Sequence, residues 1–177
     1  MTLKPPVSAN DHAFGTRDAR ATLVEYGDYQ CPHCAAAEPI VRAVQRSLGS
    51  DPLFVFRNFP MSELHPAAEA AAELAEAAAA HGKFWDAHHA IFAWSRKYGP
   101  ETFGRDMFAA IAEGIGIDQK GALDAIAEQR HLERIRADFE SGVRSGVNGT
   151  PTFFVNGLRY DGDPDTDSLV LALVGER

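Results

Sequence analysis

The only two cysteines of this sequence stand two residues apart, in the motif Cys31-Pro32-His33-Cys34. A thiolate at one of them is a nucleophile toward disulfides, and the second thiol is near enough to attack the mixed disulfide that results. A Cys-x-x-Cys motif beside a strand–helix–strand pattern is typical of redox-active sites. The spacing therefore predicts thiol–disulfide exchange at residues 31–34.

The position of the pair predicts unequal roles for the two cysteines. An apolar run at 22–26 precedes the motif and the helix-forming run 35–38 follows it, so Cys31 is expected at a helix N-terminus. The first N–H groups of a helix lack partners, and the helix dipole places partial positive charge there. Cys31 is therefore expected to be the thiolate, and Cys34, one turn along, the resolving thiol.

The two residues between the cysteines suit this arrangement. Pro32 fits the first helical turn, where its missing N–H costs nothing. His33 can carry positive charge or donate a hydrogen bond to the thiolate. The dipeptide is therefore predicted to help stabilise the anion at Cys31.

Other interpretations of the cysteine pair stay open from the residues alone. The two thiols could be structural, or they could be half of a zinc site. Zinc needs four ligands, and His33 or His65 could complete a site only with help from another chain. A binding module that senses redox state or holds a metal is therefore the alternative function, while no cofactor and no metal are expected.

Length and charge limit the class of protein. The 177 residues predict one domain over 1–177, expected to be a monomer. A net charge of −8 argues against nucleic acid as a partner. No apolar run is long enough for a transmembrane helix, and residues 1–10 lack the apolar core of a signal peptide. The expected location is cytoplasmic for a full-length chain, or periplasmic if an export signal has been removed.

The elements around the motif form an α/β pattern. A short edge strand is predicted at 11–15, and buried strands at 21–26 and 53–56 flank a helix that ends at Gly49. A continuously apolar strand such as 53–56 is typical of a sheet covered on both faces. Glu25 is the exception in its strand: it either reaches solvent or is buried for a functional reason, because burying a carboxylate is costly.

Residues 62–146 contain no convincing strand and are predicted to be a helical insertion. Expected helices begin at Pro66, near 83, near Phe103, after Asp118 and near 130. An acidic stripe of Glu69, Glu73 and Glu76 is predicted to face solvent. Residues 1–10 are expected to be a loosely packed lead-in.

The chain returns to strand after the insertion. The stretch Gly149-Thr150-Pro151-Thr152-Phe153-Phe154-Val155-Asn156-Gly157 places Asn-Gly between apolar runs, which is the signal of a type I′ hairpin. It is predicted to pair 152–155 with 158–160. Asp165 is expected to cap a C-terminal helix.

Together, Cys-Pro-His-Cys after a strand, a helical insertion and Gly-Thr-Pro-Thr-Phe-Phe-Val-Asn-Gly resemble the DsbA-like branch of the thioredoxin superfamily, over about residues 12–175. The resemblance implies a thioredoxin-like fold with an inserted helical subdomain. It also implies a protein disulfide oxidoreductase, a dithiol oxidase rather than a reductase. Its partners would be protein or peptide thiols and disulfides, together with a redox-recycling protein of unknown identity.

The resemblance also implies roles for single residues. Cys31 matches the exposed nucleophile and Cys34 the buried resolving cysteine, while Pro32 and His33 match the dipeptide that stabilises the thiolate. Glu25 matches a buried acid that accepts the proton of Cys34.

Three further residues receive roles in the same way. Pro151 matches a cis-proline that faces the cysteine pair, which would leave the Thr150 backbone free to pair with an extended substrate peptide. Arg57 is the expected counter-charge of Glu25.

Overall fold

The computed structural model describes residues 1–175, in which five strands form one mixed sheet. The strands, in chain order, are β1 (His12–Phe14), β2 (Thr22–Gly27), β3 (Leu53–Asn58), β4 (Thr152–Val155) and β5 (Leu158–Tyr160). Their order across the sheet is β1-β3-β2-β4-β5, with β2 and β3 parallel and every other pair antiparallel. β2, which leads into the cysteine motif, is therefore the central strand.

The parallel pair is joined by helix α1 (Pro32–Leu48), as the sequence predicts. Every residue of β3 is buried, and only Thr22 of β2 is partly exposed. Because both faces of these strands are covered, their sequences are almost continuously apolar. The parallel register sets Glu25 beside Phe56 and Tyr26 beside Arg57.

Each face of the sheet packs its own apolar core. Leu23, Phe54 and Phe56 belong to the larger core, which includes α1 and much of the helical insertion. Val24, Tyr26 and the neighbouring Val55 point the other way, into a smaller core with Phe154. Adjacent strand residues alternate between these two cores because the side-chain period of a strand is two.

The predicted helical insertion is confirmed, and no strand interrupts 62–146 within the described chain. Its helices are α2 (Ala68–Ala79), α3 (Phe84–Tyr98), α4 (Arg105–Gly114), α5 (Gln119–Ala127) and α6 (Leu132–Arg144), with a 3₁₀ turn at Pro100–Thr102. The Asp118 carboxylate caps α5 by accepting a hydrogen bond from the Gly121 N–H. Within residues 1–175, no helix has the length and apolarity needed to cross a membrane.

The prediction of a solvated acidic stripe on α2 is wrong for two of its three members. Glu73 is 1% exposed and Glu76 is 5% exposed. Helices α3, α4, α5 and α6 all pack against α2, which leaves it little surface for water. Both carboxylates are instead hydrogen-bonded inside the protein: Glu73 to the His131 N–H, and Glu76 to His12.

The N-terminal lead-in is also better packed than predicted. Leu3 is buried, its N–H donates to the Gly157 carbonyl, and Thr2 forms a bridge with Leu158. This segment therefore covers the outer edge of β5, which removes exposed hydrogen-bonding groups from that edge of the sheet.

The C-terminal predictions are confirmed. Asn156 and Gly157 both have positive φ, as a type I′ turn between β4 and β5 requires. Helix α7 (Thr166–Gly175) follows, and Asp165 accepts a hydrogen bond from the Ser168 N–H in its first turn.

Candidate active site

Cys31 is the N-cap residue of α1, and Pro32 occupies the first turn. The backbone of Cys31 is extended, with φ −72° and ψ 122°, so the helix begins immediately after it. The N–H groups of the first turn consequently point toward the Cys31 sulfur and have no partner within the helix. The predicted position at the helix N-terminus is confirmed.

Cys31 is less accessible than predicted, because only 3% of it is exposed. Its sulfur lies 3.5 Å from the carbonyl oxygen of Thr150, to which Cys31 donates when it is protonated. Pro32 and His33 are exposed, so they form the surface beside the sulfur. The Pro32–His33 surface and the Thr150 loop therefore border the Cys31 sulfur.

The pKa of Cys31 is lowered to about 5, first of all by a hydrogen bond from the Cys34 thiol. Burial opposes this shift, whereas the Thr150 side chain and the backbone N–H groups of Cys34 and His33 add to it. His33 thus acts on the anion through its backbone N–H. Cys31 is a thiolate at neutral pH, and the helix terminus is one of several causes.

Cys34 lies beneath Cys31 and is completely buried. Burial raises the pKa of its thiol well above the ordinary value, and the hydrogen bond to Cys31 and the charge of Glu25 raise it further. The Asp28 N–H donates to the Cys34 sulfur at 3.4 Å. The two cysteines therefore differ in protonation at neutral pH, with a thiolate at Cys31 and a thiol at Cys34.

Glu25 is buried, which decides between the two interpretations of its position in β2. It is 1% exposed, and its Oε1 atom has no hydrogen-bond partner among the described residues. Burial, together with the nearby charges of Glu38 and Cys31, raises its pKa to about 8. A carboxyl group that is protonated at neutral pH and lies beside a buried thiol can give or take a proton there.

The prediction that Arg57 is the counter-charge of Glu25 is wrong. Arg57 is paired across the sheet with Tyr26, so the two share a face, whereas Glu25 points to the opposite face. Its guanidinium forms a bidentate ion pair with Asp11, at 2.8 and 3.1 Å, and donates to the Tyr26 hydroxyl at 2.9 Å. The one-residue alternation of the strand separates Arg57 from the cysteine site.

Glu38 belongs to the surroundings of the site but was not among the predicted residues. It is 3% exposed, on the turn of α1 that follows Cys34. Its pKa is lowered, since a hydrogen bond from His89 and the charge of Arg96 outweigh the effect of burial. Its persistent negative charge helps to keep Glu25 protonated. The sequence feature that could have identified Glu38 is its position, an acidic residue four positions after Cys34.

The Thr150–Pro151 peptide bond is cis and faces the cysteine pair, as the resemblance implied. Beside it a groove of about 470 Å³ opens between α1 and the β4–β5 hairpin. The groove is lined by His33, Ile40 and Tyr160, among others, as well as by Thr150 and Pro151 themselves. An extended peptide could lie here with its sulfur close to Cys31.

A family model described as thioredoxin matches residues 8–173. The chain belongs to the thioredoxin family. Membership of this family agrees with the geometry of the site, in which a cysteine pair at the start of α1 faces a cis-proline loop.

Solved structures of several thiol–disulfide exchange proteins have a similar fold. Oxidised BdbD from Bacillus subtilis has a TM-score of 0.84 and 22% identity, covering 94% of this chain and 92% of that protein. DsbA2 from Pseudomonas aeruginosa has a TM-score of 0.74 and 25% identity, covering 97% and 96%. The thiol-disulfide exchange protein α-DsbA2 from Wolbachia pipientis scores 0.81 with 23% identity, covering 96% and 89%.

Curated relatives of higher identity carry a different name. The Na⁺/H⁺ antiporter NhaA 1 of Mycolicibacterium vanbaalenii is 38% identical over 176 residues, which is 99% of this chain and 28% of the antiporter. NhaA 1 of Salinispora arenicola is 37% identical over 98% of this chain and 26% of its own length. The chain thus spans about a quarter of the curated relatives that it matches.

Proposed function

We propose that this protein is a thiol–disulfide oxidoreductase that oxidises dithiols in proteins or peptides. The observation that carries the proposal is the Cys31 thiolate with a pKa lowered to about 5, directly above a buried thiol at Cys34. A stable thiolate is a good leaving group and makes the reduced form the favoured one. These properties favour a dithiol oxidase over a reductase, and such a protein belongs in an oxidising compartment.

In the proposed reaction the protein starts with a Cys31–Cys34 disulfide. A substrate thiolate attacks the Cys31 sulfur, the bond between the cysteines breaks, and Cys34 leaves. Glu25, protonated below pH about 8, gives its proton to the Cys34 sulfur and recovers one from solvent.

A second substrate thiol then loses its proton and attacks the substrate sulfur of the mixed disulfide, and Cys31 leaves as the thiolate. The substrate gains a disulfide and the protein gains two electrons, which are held as the Cys34 thiol and the Cys31 thiolate. Counted from a substrate with both thiols protonated, one proton is released overall. A separate oxidant must regenerate the protein disulfide, and this is the predicted role of the recycling partner.

Substrate binding is proposed at the Thr150–Pro151 loop and the groove beside it. The Thr150 carbonyl lies 3.5 Å from the Cys31 sulfur, so a peptide paired with this backbone would have its own sulfur within reach. Main-chain pairing requires no particular side chain, which suits a protein that acts on many thiols.

The test is a single-turnover assay in which oxidised protein is mixed with a peptide dithiol. We expect stoichiometric oxidation of the peptide by the wild type. Mixed instead with the disulfide form of the peptide, Cys34→Ser should accumulate a mixed disulfide, because its Cys31 thiolate breaks the peptide disulfide and no resolving thiol releases the adduct. The matched Cys31→Ser variant should form none. Reduction of insulin faster than oxidation of the peptide would contradict the direction proposed, and adduct formation by Cys31→Ser alone would reverse the roles.

The antiporter relatives favour a second candidate, in which the thiol partner is a membrane transport protein. In those relatives a segment similar to this chain makes up 26–28% of proteins named as Na⁺/H⁺ antiporters. We propose that this protein exchanges disulfides with an antiporter of that class. Co-expression of Cys34→Ser with an NhaA antiporter from the same organism should give a mixed disulfide that Cys31→Ser does not form. Equal amounts of adduct with an unrelated membrane protein would refute the candidate.

A further inference from the structure

The Asp28 carboxylate lies between β2 and α1, three residues before Cys31, and its side chain is fully buried. It accepts hydrogen bonds from the Gln30 N–H at 2.8 Å, the Met61 N–H at 2.9 Å and His65 Nδ1 at 2.7 Å. A buried carboxylate is tolerated only when donors replace its lost water, and here they come from both sides of the site. Among these donors, His65 is the one that uses its side chain.

The backbone of Asp28 contacts both cysteines. Its N–H donates to the Cys34 sulfur at 3.4 Å, and its carbonyl accepts from the Cys31 N–H at 3.1 Å. A displacement of Asp28 would therefore move the whole cysteine loop.

The other end of the contact is the segment Met61–His65, which follows β3. The Met61 sulfur lies 3.8 Å from the Thr150 hydroxyl, next to the proposed substrate edge. Residues 59–64 also form one wall of a groove of about 590 Å³, whose opposite wall is α6 with Ile135 and Phe139. Asp28 and His65 thus connect the cysteine loop to a groove wall that begins beside Thr150.

We propose that Asp28 and His65 are positioning residues for protein substrates. His65 holds the segment Met61–His65 against the cysteine loop, so that the groove wall and the Thr150 edge keep a constant distance from Cys31. Their role is in binding peptide dithiols rather than in tuning the thiolate. This inference rests on the proposed function for its substrate and on the contacts of Asp28 for its geometry.

The test compares His65→Leu with the conservative His65→Asn, whose Nδ2 can occupy the place of His65 Nδ1. The same His→Leu change at the exposed His81, at the end of α2, is the matched control. With oxidised glutathione supplied to regenerate the protein disulfide, we expect His65→Leu to raise KM for a peptide dithiol about tenfold, equivalent to ~1.4 kcal/mol, with kcat unchanged. His65→Asn should recover most of the loss, and His81→Leu should match the wild type.

Two further readouts separate positioning from general damage. The pH profile of Cys31 alkylation should be the same in His65→Leu and wild type. Amide hydrogen exchange at Met61, whose N–H donates to Asp28, should become at least tenfold faster in His65→Leu and return toward the wild-type rate in His65→Asn.

The proposal is overturned by an unchanged KM, by unchanged exchange at Met61, by equal losses in the Leu and Asn variants, or by an altered alkylation profile. Failure of the wild type to oxidise dithiols would refute the proposed function and the substrate part of this inference. The exchange rate of Met61 would still decide whether His65 fixes the segment.

Discussion

The relative stability of the reduced and oxidised proteins should reverse with pH. Only the reduced form carries the Cys31 thiolate, whose pKa is about 5 when folded, against ~8.5 for an unfolded cysteine. Because the folded pKa is the lower one, the thiolate stabilises the reduced fold fully above pH ~8.5. This stabilisation is lost as the pH falls through 5. The larger causes of the Glu25 shift, burial and the charge of Glu38, act in both forms and cancel in the comparison.

The size of the effect follows from the two pKa values. Because protonation is linked to folding, the thiolate adds ~4 kcal/mol to the free energy of unfolding of the reduced form at pH 8, and ~1 kcal/mol at pH 5.5. In the oxidised form a disulfide between Cys31 and Cys34 closes a very short loop, which stabilises it by ~2 kcal/mol in the chain-entropy model. The reduced form should therefore be more stable by ~2 kcal/mol at pH 8, and the oxidised form by ~1 kcal/mol at pH 5.5.

The assay is a set of thermal melts of both redox forms at the two pH values. For a chain of this size, ~2 kcal/mol corresponds to a difference in Tm of roughly 4–8 °C. The reduced form should melt higher at pH 8 and the oxidised form slightly higher at pH 5.5. Cys31→Ser, which has neither the thiolate nor the disulfide, is the control. Its Tm should lack the pH dependence that the thiolate gives to the reduced wild type.

An oxidised form that melts higher at pH 8 would refute the reasoning and would indicate a thioredoxin-like reductase. A difference in Tm that stays constant between pH 8 and pH 5.5 would show that the Cys31 thiolate does not control the stability of the reduced form.

Three other variants test the surroundings of the site. Glu25→Gln should be stabilised relative to wild type by ~4 kcal/mol more at pH 9 than at pH 5 in urea unfolding. The reason is that the raised pKa of Glu25 makes its ionisation costly in the folded protein as the pH rises toward 8. An equal difference at both pH values would contradict this. Arg57→Met should lose ~3 kcal/mol of stability, since it leaves Asp11 buried without its cation. It should keep the pH profile of Cys31 alkylation. A shifted profile would indicate that Arg57 is the counter-charge of Glu25 after all. Cys34→Ala should raise the pKa of Cys31 by removing its strongest hydrogen-bond donor, whereas the hydroxyl of Cys34→Ser should preserve part of the shift. The pKa of Cys31 in each variant is measured from the pH dependence of its alkylation rate, and equal pKa values in the two variants would contradict this.

Patterns between neighbours in the sequence explain why most of the fold was predictable. Helical spacing and apolar runs located the five helices of the insertion and both parallel strands, because amphipathic periodicity is set by burial on one face. The Asn156-Gly157 pair predicted its turn, since both positions need positive φ. These signals are local, so they do not depend on which helices and strands pack against each other.

Failures occurred where the answer depends on residues far apart in the chain. Glu73 and Glu76 have the spacing of a solvated face, yet four other helices pack against α2. The partner of Arg57 was misassigned because the strand register, which the sequence does not encode locally, decides which face the side chain occupies.

The sequence by itself determined the chemistry of this protein. Two cysteines at a helix start and a Thr-Pro motif after an insertion are local features, and the physics of a helix terminus acts wherever they occur. Only the tertiary structure decided how that chemistry is tuned. The Cys34 hydrogen bond, the isolation of Glu25 from Arg57 and the contact between Asp28 and His65 join separate segments of the chain. Protonation and position in a buried site depend on distances between such segments, and those distances exist only once the chain has folded.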